Sequence, residues 1–152
     1  MKNVLIVFAL FLFTACGSDD NNTITDFRTQ NDEEILAYIE ANNLEATKSN
    51  SGLYYVINNT GSGSQPTAAD NVTVAYKGYF TNGQIFDQSD ANGISFSLSR
   101  VIPGWTEGIT YFKEGGSGIL LIPAHIGYAN RPPSSIPLGA VLIFDINLIS
   151  VN

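Results

Sequence analysis

The chain has 152 residues, 44% of them hydrophobic, with a formal net charge of −7, one cysteine and one histidine. That length holds one domain plus extensions. The acidity argues against nucleic acid as a partner. A lone histidine and a lone cysteine cannot assemble a His/Cys metal site, and with no second cysteine the fold must stand on its hydrophobic core.

Residues 1–15 read as a secretory signal: Lys2 gives a short positive start, Val4 to Phe13 is an apolar run, and Thr14-Ala15 supplies small residues before Cys16. The run is about half the ~20 residues that span a bilayer, so a permanent transmembrane helix is the poorer reading. Cys16 stands where a bacterial lipoprotein signal places the residue to be lipidated, and polar Gly17-Ser18-Asp19-Asp20 follows at once. This start predicts a cell-envelope protein lipid-anchored through Cys16 to a bacterial membrane, the outer membrane, with its domain periplasmic or surface-exposed. The acidic Cys16 to Asp20 stretch also resembles an export signal of surface-displayed lipoproteins, with a solvated spacer as the equal alternative. Residues 16–30 read as the lipidated cysteine and a flexible acidic tether. Between Gly17 and Ser49 eight acids face Arg28 and Lys48, whereas from Asn50 onward six acids face four bases. The acidity therefore belongs to the tether.

Residues 31–49 read as a short helix and a connector. Asn31 is the expected cap, with Glu34 three residues on as in a capping box, and Asp32 and Glu33 suit the positive helix end. Ile35, Leu36 and Ile39 share one face, and Asn42-Asn43 ends the helix. One apolar stripe this short is marginal alone, so the helix is expected to dock on the domain rather than on a second copy, the domain being monomeric.

Residues 50–152 form the expected domain. Leu53 to Ile57 reads as a strand, and Val72 to Phe80 alternates, with Val72, Val74, Tyr76 and Phe80 on one face. Thr81-Asn82-Gly83 is a hairpin signal returning the chain through Ile85-Phe86-Asp87. Ile94, Phe96 and Leu98 alternate again. Gly104 to Phe112 carries Trp105, Ile109 and Phe112 at helical spacing and stops at Gly115-Gly116. Ile119 to Ile122 and Val141 to Val151 complete the strands. The expected fold is α+β, a curved, mostly antiparallel sheet of about five strands around one short helix, with an extra N-terminal helix.

Across this domain runs a set of aromatic and apolar residues with one acid among them: Val72-x-Val74-x-Tyr76-x-Gly78, Asn82-Gly83-x-x-Phe86-Asp87, Val101-Ile102-Pro103-Gly104-Trp105-x-x-Gly108-Ile109, Ile122-Pro123, Tyr128, Ile136-Pro137 and Leu142-x-Phe144-Asp145. So little titratable chemistry suits a reaction that needs an apolar pocket, such as rotation about an amide bond. From Ser51 to Val151 this string resembles the FKBP-type peptidyl-prolyl cis-trans isomerases, in their order and spacing. The resemblance implies catalytic roles for Tyr76, Phe86, Asp87, Trp105, Tyr128 and Phe144. It makes Trp105 the floor under a proline ring and Asp87 the pocket's carboxylate. Tyr128 becomes a hydroxyl donor to a substrate carbonyl. Ile94, Val101, Ile102 and Ile136 become substrate-binding walls and rim, with the Ile102 backbone N–H a second donor. Val72 and Val74, like Phe80 and Phe112, are expected in the core.

The implied partners are proline-containing polypeptide clients, with weak binding of macrolide immunosuppressants, and no cofactor or metal is implied. The string also departs from the family. Gln88 to Gly93 holds no arginine to partner Asp87, Ala129 replaces a usual glycine, and Leu138 replaces a common proline. The Tyr128 to Ile136 stretch is too short for the chaperone domain inserted in some relatives. The alternative function is a catalytically weak module that binds proline segments as a membrane-tethered chaperone or scaffold. His125 lacks a G-x-S-x-G partner and is expected to be an exposed loop residue.

Overall fold

A computed structural model describes residues 26–152; the expected signal, Cys16 and most of the tether lie outside them. Helix α1 spans Arg28–Ala41. Seven strands follow: β1 (Thr47–Lys48), β2 (Tyr54–Asn59), β3 (Asn71–Tyr79), β4 (Ile85–Gln88), β5 (Ile94–Ser97), β6 (Ser117–Ile122) and β7 (Leu142–Val151). Helix α2 (Pro103–Gly108) lies between β5 and β6. The strands form one antiparallel sheet in the order β1-β2-β6-β7-β3-β4, with β5 on the same edge of β3 as β4. The expected α+β arrangement is present, and the strand number exceeds the expected one because short edge pieces such as β1 count separately. Among the described residues no helix is long and apolar enough to cross a membrane.

Alternation sorts the side chains onto two faces. Val72, Val74, Leu120, Ile122, Leu142, Phe144, Ile146 and Leu148 join Trp105, Ile109 and Phe112 in the larger core. Leu121, Val141, Ile143 and Tyr54 meet Ile35 of α1 in a smaller one on the other side. Helix α1 thus docks on the domain as expected. Two glycines let α2 lie close to β6: a Cβ at Gly104 would sit 2.6 Å from Ile122 Cγ2, and one at Gly108 would sit 2.7 Å from Leu120 Cδ1. The helix is shorter than expected, passing into a 3₁₀ turn over Ile109–Tyr111. There Thr110 Oγ1 donates to the Glu107 carbonyl at 2.6 Å, and Phe112 N–H bonds back to Ile109, so local bonds tighten the last turn.

At α1 the start differs from expectation. The helix begins at Arg28, whose N–H is accepted by Asp26 Oδ1 at 3.0 Å, so Asn31 lies inside the first turns rather than at the cap. Asn31 is fully buried and bonds to the domain instead. Glu34 turns outward from the expected capping box to accept the Thr81 hydroxyl at 2.6 Å. A capping rule sees only local sequence, and here distant backbone groups compete for the same side chains.

Candidate active site

The site begins with the break in the edge strand beside β3. β4 pairs with Lys77 to Tyr79 and β5 with Asn71 to Val74; between them the chain leaves the sheet over Ser89 to Gly93. Ser89 secures this excursion: its hydroxyl accepts the Tyr76 N–H at 2.9 Å and its N–H donates to the Tyr76 carbonyl at 3.0 Å. Gly93 returns the chain at φ +74°, where a Cβ would meet the Val74 carbonyl at 2.7 Å. Phe86 and Asp87 are thereby presented from one piece, Ile94 and Phe96 from the other, on either side of Tyr76.

Their side chains converge with those of Val101, Ile102, Trp105, Tyr128 and Phe144 on a cleft of ≈ 360 Å³. Trp105 is 5% exposed and touched edge-on by three rings: Tyr76 at 5.1 Å and 86°, Phe144 at 5.1 Å and 90°, and Phe96 at 5.3 Å and 62° between centroids. Phe86 stands perpendicular to Phe144 at 5.5 Å. Edge-to-face contacts are favourable for aromatic quadrupoles and hold each ring at a set angle. Gly78 makes room, since a Cβ there would lie 2.8 Å from both Phe144 Cε1 and Phe86 Cζ.

Polar groups in the cleft are few. The Tyr76 hydroxyl donates to Asp87 Oδ2 at 2.6 Å, a charge-assisted bond. Burial, then that bond, pushes the Tyr76 hydroxyl pKa well above its ordinary value. Tyr128 is pushed up by burial and then by the Asp87 charge. Both hydroxyls therefore keep their protons at neutral pH. Ile102 precedes α2 in extended conformation, and its carbonyl accepts the N–H groups of Trp105 and Thr106.

Of the residues expected at the site, Ile136 alone does not line this cleft: it is 6% exposed and belongs to the larger core. Phe96 and Arg100 line the cleft and were not expected there. Phe96 was within reach of the alternation rule, because period two from Ile94 places it on the same face. Arg100 supplies a cation two residues before Ile102, although no ion pair joins it to Asp87 among the described residues. His125 is not an exposed loop residue. It is partly buried, with Nε2 2.8 Å from the Ser51 carbonyl and Nδ1 enclosed without a hydrogen-bond partner.

A larger recess of ≈ 520 Å³ lies beside α1, lined by Asp32, Glu33, Lys48, Ser49 and His125 among others. Its Lys48 and Asp32 already pair with each other. It offers no aromatic enclosure, so the chemistry of a dry site rests with the Trp105 cleft.

Known proteins resemble this chain in sequence and in fold. The family model of the FKBP-type peptidyl-prolyl cis-trans isomerases matches residues 62–149. A probable FKBP-type peptidyl-prolyl cis-trans isomerase FkpA of Neisseria meningitidis serogroup B is 45% identical over 104 residues, covering 66% of this chain and 38% of the relative. The crystal structure of FkpA from Escherichia coli superposes with a TM-score of 0.73 at 33% identity, covering 82% of this chain and 61% of that one. A peptidyl-prolyl cis-trans isomerase from Pseudomonas syringae pv. tomato gives a TM-score of 0.70 at 27% identity, covering 84% and 97% of the two chains. The chain spans less than half the length of the curated relatives it matches. With the family model spanning more than half its residues, the chain belongs to the FKBP-type peptidyl-prolyl cis-trans isomerases.

Proposed function

We propose that this protein accelerates cis-trans isomerisation of X-Pro bonds in secreted or envelope polypeptides, without a covalent intermediate, in the cleft over Trp105. The observation that carries the reading is an enclosure of edge-packed rings whose one carboxylate, on Asp87, is already engaged by Tyr76. Rotation about a peptide bond meets a barrier of about 18–20 kcal/mol, and the X-Pro bond turns over in tens to hundreds of seconds. The planar amide is charge-separated by resonance and is stabilised by water; the twisted transition state has lost much of that resonance. An apolar cleft removes the solvent support of the planar form, while the Tyr128 hydroxyl and the Ile102 N–H favour the twisted one. Each tenfold in rate needs only about 1.4 kcal/mol of such preference. Val101, Phe86 and Phe144 wall the proline ring, and Ile94 makes one wall aliphatic.

A soluble form beginning at Gly17 should speed cis-to-trans conversion of an X-Pro peptide. Tyr128→Phe should lower kcat/KM by about three- to tenfold, the worth of one hydrogen bond at the transition state. Folded protein that gives only the spontaneous rate would overturn the reading and leave the proline-segment chaperone or scaffold in its place. That second reading is motivated by two departures on one loop, at Leu138 and at Ala129. The Ala129 φ of +48° supports the catalytic one instead, because the loop keeps there a backbone that a glycine would adopt.

The cleft is also proposed to bind macrolide immunosuppressants weakly, with Trp105 fluorescence as the readout; an unchanged signal at saturating ligand, confirmed by calorimetry, would count against it. The domain is proposed to work as a monomer held at a bacterial envelope membrane by lipid on Cys16. Metabolic labelling with a radioactive fatty acid should mark the protein, and Cys16→Ser should abolish the label.

A further inference from the structure

The segment that carries Tyr128 runs from Pro123 to Gly139, and one side chain from helix α1 bonds to the backbone near each of its ends. Asn31 Oδ1 accepts the Ala124 N–H at 2.8 Å, and Asn31 Nδ2 donates to the Gly139 carbonyl at 2.9 Å. Asn31 is 0% exposed. It lies outside the span matched by the family model. The Ala124 carbonyl in turn accepts the N–H groups of Gly127 at 3.0 Å and Ala129 at 2.6 Å, the two neighbours of Tyr128. At the far end the Phe27 ring covers Gly139 so closely that a Cβ would lie 2.5 Å from Phe27 Cδ1.

We infer that Asn31 is a positioning residue for the isomerase site, holding the Tyr128 loop at a fixed height over the cleft. The inference rests on the function proposed above. An amide side chain suits the task because the two backbone groups differ: one needs an acceptor, the other a donor. A carboxylate would lose the donor arm, and an aliphatic residue would leave both groups buried and unpaired, which is costly. The hydroxyl of Tyr128 acts only if it stands at a set distance from the substrate carbonyl, and misplacement of such a group lowers the rate.

A double-mutant cycle on the chain from Gly17 tests this. Asn31→Ala, assayed well below its unfolding temperature, should lower kcat/KM by about three- to tenfold, the worth of one misaligned hydrogen bond. In a Tyr128→Phe background the same substitution should change kcat/KM less than about twofold, because its target is gone. Ile35→Val, which loosens α1 against Tyr54, Leu121, Val141 and Ile143 but keeps both Asn31 bonds, should leave kcat/KM nearly unchanged. Deuterium uptake of the 124–140 amides should rise in Asn31→Ala and stay at the parent level in Ile35→Val. If Asn31→Ala does not fold, Phe27→Ala replaces it in the cycle, with the same direction expected. Equal losses in both backgrounds, full activity, or unchanged uptake would overturn the inference. A parent without isomerase activity would sink the proposed function alone, and the deuterium uptake would then decide whether Asn31 holds the loop.

Discussion

On one face of the sheet α2 presses Trp105 among Tyr76, Phe96 and Phe144; on the other α1 lays Ile35 over Tyr54, Leu121, Val141 and Ile143. The polar chemistry of the two faces is opposite in kind. Beside α1, Tyr54 donates to Asp32 at 2.7 Å with Lys48 on the same carboxylate, and Tyr79 donates to Asp145 at 2.9 Å with Lys77 on the other oxygen. Asp32 and Asp145 are thus each met by a base and a tyrosine, so their charges are paired within the face. On the Trp105 side, rings meet edge to face and leave a concave apolar surface that no helix covers among the described residues. Burial of apolar area stabilises both faces, but only one leaves that area for a guest.

Gly78 offers the strongest way to break the contrast, because it sits on the Trp105 face at the β3 position opposite both Asp87 and Phe144. Gly78→Ala puts a methyl 2.8 Å from two rings that already constrain each other. Overpacking of this kind costs about 1–3 kcal/mol, visible as a lower urea midpoint. Displaced rings should also reduce kcat/KM by about tenfold or more, since each 1.4 kcal/mol of lost transition-state preference is tenfold. Unchanged values in both measurements would mean that the ring geometry is loose and the difference between the faces is only one of composition.

The Trp105 face was the more legible of the two in the sequence. Tyr76, Phe86, Trp105 and Phe144 could be placed together because they sit in short strings whose spacing survives folding, and the strand alternation fixes which way they point. Ile136 was misplaced for the same reason that loops are hard: no period governs a stretch such as Arg131 to Leu138, and its side chain turned into the core. On the α1 face the sequence showed a docking stripe of Ile35, Leu36 and Ile39, of which Ile35 is buried and Leu36 is exposed, and a helix end at Asn42-Asn43. It could not show what Asn31 does, because both of its partners lie more than ninety residues away. A capping motif and a long-range backbone clamp use the same side chain, and local sequence carries no signal that separates them. His125 was misread likewise, its Ser51 partner being 74 residues distant.

The loop joining the two faces gives an effect of intermediate size. Ala129 holds φ +48°, a left-handed conformation that costs an L-residue about 1–2 kcal/mol. Ala129→Gly should relieve most of that and return part as unfolded-state entropy, for a net gain of about 0.5–1 kcal/mol in urea melts. If Tyr128 is held from the α1 side, kcat/KM should change little while stability rises. A large fall in activity would show that the stiffness of Ala129, rather than the bonds of Asn31, sets the loop.

The smallest effect separates the faces by pH. Asp32 has its pKa lowered by the Lys48 ammonium and then by the Tyr54 hydroxyl. A lowered folded value means a contribution to stability that is present above the unfolded carboxylate value of about 3.9 and is lost as pH falls through the folded one. The side chain is 36% exposed, and screening by solvent limits the contribution to about 1 kcal/mol or less. Urea midpoints of Asp32→Ala and the parent should therefore differ at pH 7 and converge on acidification below about pH 4. The Trp105 face should not respond to Asp32→Ala. Tyr76 and Tyr128 have raised values, so their hydroxyls stay protonated past the ordinary tyrosine value of about 10. Activity per folded molecule should then be level from pH 7 to about 9.5, where unperturbed phenols have begun to ionise. A fall in kcat/KM inside that window would reveal a titrating group in the cleft, and the division between a paired, pH-sensitive face and a proton-neutral one would fail.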